Sequence, residues 1–148
     1  MKDIMASWDR KLLTAAAEGN IKEVELCVKN RANLECRDGV GMTPLIWAAA
    51  RGRLEVVTYL VTHGSQLDAT DLRGWTPLML AAVNGHLEVV TYLVTHGSQL
   101  DATSKDGETA LHLAARNGQI DVTKCLIDQG CSPWVKTLEV TFRFILIR

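Results

Sequence analysis

Residues 54–70 of this chain reappear without a single change as residues 87–103, 33 positions later. No other feature restricts the fold as strongly, because a stretch repeated over 17 positions must build the same local structure twice. The period extends beyond the identical block. Thr43-Pro44-Leu45 recurs as Thr76-Pro77-Leu78 and as Thr109-Ala110-Leu111, and Ala48-Ala49 recurs as Ala81-Ala82 and Ala114-Ala115. Gly52, Gly85 and Gly118 keep the same spacing, as do Gly64, Gly97 and Gly130. A weaker copy lies upstream, with Leu12, Ala15-Ala16 and Gly19 in register. Duplication or design produces such a pattern; chance does not. Four units follow, near residues 5–37, 38–70, 71–103 and 104–136, forming one domain over 1–136 with a non-repeat apolar tail at 137–148.

Each unit reads as two short helices. Thr43 is an N-cap, able to accept from a free backbone N–H, and Pro44 sits at the first helical position, where a missing donor costs nothing. Leu45, Ala48 and Ala49 form one apolar stripe whose small residues let neighbouring helices approach closely. Gly52 supplies the left-handed stop. A second helix starts near Leu54, with Val56, Val57, Leu60 and Val61 on one face and Thr58, Tyr59, Thr62 and His63 on the other, and Gly64 ends it. From Ser65 to Trp75 the chain is turn-like, punctuated by Asp71 and Gly74. Neither helix is long enough to be stable alone in water. The units must therefore stack, which makes the chain a solenoid.

A 33-residue period carrying Thr-Pro-Leu, Ala-Ala, Gly-His-Leu-Glu-Val-Val (Gly85 to Val90) and a closing Gly resembles the ankyrin repeat, over about residues 8–136. The resemblance implies an all-α ankyrin-repeat solenoid of stacked antiparallel helix pairs, joined by β-turn-like loops whose tips project to one side of a concave face. It also implies protein binding through those tips and the exposed face of the first helix.

Three departures stand out. Arg10-Lys11 replaces Thr-Pro in the first unit, as suits an N-terminal cap with Trp8 and Leu12 facing inward. Arg31 takes the glycine position that ends the second helix, so that end is expected to be strained or a turn shorter. The tail at 137–148 reads as strand more than helix. It is expected to cover the last unit's flank, to pair with a second copy in self-association, or to be a remnant of truncation.

Composition narrows the function classes. Lys plus Arg number 16 against 17 Asp plus Glu, so a net charge of −1 gives no reason to expect nucleic-acid or membrane binding. No stretch approaches the length of a membrane span. Without an export signal at the N-terminus, the four cysteines are expected to be reduced thiols in a cytoplasmic or nuclear protein. His63 and His96 share one repeat position, hence about 8–10 Å apart, too far to share a zinc ion. Cys27 and Cys125 lie three units apart, and Cys125 with Cys131 reads as buried thiols. His112 is expected to hydrogen-bond within the turn network, as the resemblance implies. No Gly-rich phosphate loop, nucleophile elbow or His-Glu-x-x-His pattern occurs. The chain is read as a non-enzyme with no cofactor and no metal.

Binding then falls to positions free of structural duty. On the tips these are Val40, Met42, Leu72, Arg73, Trp75, Lys105, Asp106 and Glu108; at the ends of the first helices they are Arg51, Asn84, Arg116 and Asn117. Met42, Arg73 and Trp75 are of types enriched at interfaces. Trp47, within a helix among alanines, is read as core. A protein partner of unknown identity is expected. Small four-repeat ankyrin proteins that inhibit cyclin-dependent kinases resemble the chain in size, but their second unit has a shortened first helix. Other ankyrin domains hold oligoadenylates between tryptophan and lysine, a role open to Trp75 and Lys105. An engineered or truncated scaffold without a natural partner is the remaining alternative.

Overall fold

The structure, a computed structural model, describes residues 6–131. The elements are α1 (Ser7–Glu18), α2 (Ile21–Lys29), α3 (Pro44–Ala50), α4 (Leu54–Thr62), α5 (Pro77–Val83), α6 (Leu87–Thr95), α7 (Ala110–Arg116) and α8 (Ile120–Asp128), with no strand among the described residues. The tail at 137–148, with the self-association expected of it, lies outside them.

Local chemistry explains where the helices begin. Thr43, Thr76 and Thr109 each accept a hydrogen bond from the backbone N–H three residues on, at 3.2, 3.2 and 3.3 Å. Pro44 and Pro77 occupy the first helical turn behind them. Thr109 adds a reciprocal bond, its own N–H donating to Nδ1 of His112 at 3.2 Å, where Ile46 and Met79 offer no acceptor. α1 has no threonine cap and starts at Ser7, about a turn ahead of the equivalent position.

Helices of seven or nine residues depend on burial for their existence. One continuous core runs through all four units, from Leu12 and Val24 through Leu45, Leu60, Leu78 and Leu93 to Leu111 and Leu126. The odd-numbered helices form one layer and the even-numbered the other. Alanine pairs in α1, α3, α5 and α7 let these helices meet along more of their length than α2, α4, α6 and α8 do. The stack therefore curves toward the odd-numbered layer, whose helices and adjoining turns line the concave side.

Polar ladders tie the units together at three levels. Arg53 Nε, His86 Nε2 and Gln119 Nε2 donate to the carbonyls of Ala17, Ala50 and Val83 in the preceding unit, at 3.1, 2.9 and 3.1 Å. Those carbonyls sit in last helical turns, where no intrahelical donor remains. The N–H groups of Asn33, Gln66 and Gln99 donate to Asp9, Glu35 and Asp68 at 2.7, 3.1 and 3.1 Å. Asp9, on α1, thereby does what a preceding unit would do. At the tips, Leu72 N–H donates to the Val40 carbonyl and Lys105 N–H to the Arg73 carbonyl, at 3.2 and 3.0 Å.

Arg31 is the one non-glycine residue of the described chain with positive φ, at 65°. The strain expected there is present; the shortening is not, because α2 keeps nine residues like α4, α6 and α8. Buried Val24 and Cys27 hold α2 to full length against the strain. Arg31→Gly is expected to raise stability by about 0.5–1 kcal/mol, the left-handed penalty less glycine's added freedom when unfolded. Urea denaturation checks it, and an unchanged midpoint would contradict the strain.

Burial lowers the His112 pKa below its ordinary value of 6.5. As pH falls through that value the unfolded chain takes up the proton first, so stability present above it drains away on acidification. Protonation at Nδ1 also removes the acceptor for Thr109 N–H. The melting temperature is expected to drop more between about pH 7.5 and 5.5 in the native chain than in His112→Gln. Parallel curves for the two would refute this.

Candidate protein-binding face

Three turn tips project at the end of the odd-numbered layer, each built around one side chain. Asp38 Oδ1 accepts from Val40 and Met42 N–H, both at 3.0 Å; Asp71 Oδ1 accepts from Arg73 and Trp75 N–H at 2.8 and 3.0 Å. Ser104 Oγ takes the corresponding role toward Asp106 and Glu108. The backbone then reverses at Gly41, Gly74 and Gly107, with φ of 82°, 80° and 77°.

The residues expected to bind separate into distinct groups. Val40 and Leu72 are 57% and 63% exposed on adjoining tips. Lys105 and Asp106 are exposed on the third. Met42 must be corrected: it is 5% exposed because its side chain packs with Ile46 and Leu80. Trp75 is half-buried against the core, with Arg73 lying over its ring at 4.1 Å and held by Asp71. That guanidinium occupies a ring face on which a base would stack. Glu108 pairs with Arg116. Asn84 and Asn117, though exposed, reach back to the Ala50 and Val83 carbonyls at 3.1 and 3.3 Å and so serve the stack.

Arg51 behaves differently from these two equivalents. It is exposed and lies over the Trp47 ring, 5.4 Å from its centroid, with no ion pair among the described residues. Trp47 itself corrects the reading of the sequence: it is half-buried, not core. Its Nε1–H donates to Asp38 Oδ2 at 2.7 Å, which fixes the indole between helix and tip. Its repeat equivalents Leu80 and Leu113 are 6% and 0% exposed. Trp47 and Arg51 form one wall of a groove of about 510 Å³ whose other side is Arg10, Leu13, Thr14, Ala17 and Glu18 of α1. The available signal for this site was Thr14, small and polar at the register position that Trp47 fills one unit later.

Elsewhere the chemistry is structural. His63 and His96 donate through Nδ1 to the Tyr59 and Tyr92 carbonyls at 2.8 Å and stack on those same rings. Burial pushes the Cys36 thiol up to about 12 and the Cys131 thiol to about 11, away from the thiolate form a nucleophile needs.

Comparison with known families agrees with this architecture. A family model described as ankyrin repeats (3 copies) matches residues 63–137, and another described as ankyrin repeats (many copies) matches residues 12–61. The chain belongs to the ankyrin-repeat family. Ankyrin repeats are generally protein–protein interaction modules. A comparison with curated proteins finds no match.

Proposed function

We propose that this ankyrin-repeat chain is a non-enzymatic protein-binding module that engages its partner on the concave side, through the groove at Trp47 and Arg51 and the apolar tips at Val40 and Leu72. One observation carries the reading. Arg51 and Trp47 depart from their repeat equivalents together, and both departures place interface-type groups on the solvent side of the stack. α3 has seven residues, like α5 and α7, so nothing in the second unit favours the kinase-inhibitor alternative.

The test pairs Arg51→Glu with Leu72→Glu, both exposed, and compares proteins captured from a cell extract by mass spectrometry. A true partner is expected to be retained by the native chain and to bind the double variant at least about tenfold more weakly, with far-ultraviolet circular dichroism unchanged. A partner held equally by both would move the interface off this face.

A further inference from the structure

We propose that the groove between α1 and α3 takes an acidic–apolar segment of a partner protein, with a carboxylate set against Arg51 and a bulky apolar side chain against Leu13, Ala17 and Trp47. The inference rests on the concave-face reading above and adds the chemistry of what is bound.

The argument is one of remaining valence. Asp38 lines the groove, and three of its roughly four acceptor sites are taken, two on Oδ1 by backbone N–H groups and one on Oδ2 by the Trp47 indole. Its main duty is to fix the indole and the tip. Arg51 is the reverse case. At its position in the next two units, Asn84 and Asn117 are consumed in bonds to the preceding unit, beside those of His86 and Gln119, whereas the Ala17 carbonyl receives the bond of Arg53 and none from Arg51. Among the described residues the Arg51 guanidinium is left with the indole face alone, five donors against no carboxylate. A planar fork held on an aromatic ring is preorganised for bidentate carboxylate recognition.

The floor specifies the second element. Leu13, Ala17 and the Trp47 ring present apolar surface beside the guanidinium, so a purely charged ligand would leave it wet. Glu18 stands in the same lining and is exposed. Its charge opposes an extended polyanion such as single-stranded RNA more than a segment whose acid is set beside an apolar residue.

Three N-acetylated, C-amidated peptides of about ten residues serve as probes, alternating leucine and phenylalanine with glutamate, glutamine or lysine. Binding is read by fluorescence anisotropy and by the Trp47 indole N–H signal in nitrogen-15 NMR, assigned with Trp47→Phe. The glutamate peptide is expected to bind at least tenfold tighter than the glutamine one and to weaken as salt rises from about 50 to 500 mM. Arg51→Gln, a polar residue close to those its equivalents carry, is expected to abolish that preference, and Glu18→Gln to enlarge it severalfold. Equal affinity for the glutamine peptide, a preference that survives Arg51→Gln, or a polyuridylate probe binding as tightly would each overturn the proposal. In the first two cases movement of the Trp47 signal would leave the concave-face reading standing. No response to any peptide at millimolar concentration would also sink the proposal, and the concave face would then be judged by the capture experiment alone.

Discussion

Leu93→Ala is expected to lower the free energy of unfolding by about 3 kcal/mol, within the 2–5 kcal/mol typical of a buried leucine truncated where its surroundings relax only partly. Leu93 is fully buried in α6 and its equivalent Leu60 is fully buried in α4, with identical neighbours along their own helices. Leu60→Ala is therefore expected to cost nearly the same, any difference arising from the flanking units. Contacts in a solenoid run between neighbours, so a loss of this size weakens the coupling across the middle of the stack. Chemical denaturation followed by circular dichroism checks both the midpoint and the slope, and a shallower slope would report units unfolding separately. A loss below about 1 kcal/mol would mean that the layers close over the space without difficulty.

Gly74→Ala and Gly107→Ala form a matched pair that separates two costs. Both glycines have left-handed φ, 80° and 77°, so each substitution carries the backbone penalty of about 1–2 kcal/mol. Of the two, only Gly74 faces a described neighbour: a Cβ there would lie 3.0 Å from the backbone nitrogen of Lys105, the group that donates to the Arg73 carbonyl. At Gly107 no described residue lies within 4 Å. Gly74→Ala is expected to exceed Gly107→Ala by a further 1–2 kcal/mol or so, the usual scale for overpacking, because relief requires the two tips to part. Equal losses in urea denaturation would show that the tips separate freely.

What the sequence disclosed follows from how local each cause is. Threonine caps, first-turn prolines and glycine stops depend on residues within one turn of the chain, so Thr43, Pro44 and Gly52 could be read directly. Strain at Arg31 was legible for the same reason, while the retained length of α2 was not, because Val24 and Cys27 are buried by elements far away in sequence. The binding face was harder. Trp47 lies on a helix of alanines, and its half-exposure depends on Thr14 and the α1 surface opposite, not on its own stripe. Met42 reads as a tip residue because Leu80, which helps to bury it, belongs to the next unit. Asn84 and Asn117 looked idle because the carbonyls they reach are 34 residues back in the chain.

The repeated block has a consequence for how the chain keeps its units in order. α4 and α6 are interchangeable strings of nine residues, so neither can tell by its own side chains which inner helix it should dock against. During refolding, α6 in the place of α4 would satisfy the same outward contacts, and misassembly of this kind is a known hazard of repeat arrays. Discrimination falls to what differs: Ile46, Trp47 and Ala50 against Met79, Leu80 and Val83, and Arg53 against His86 at the reach-back position. The indole that walls the groove beside α1 is thus also an address label, one that distinguishes the second unit from its near twin.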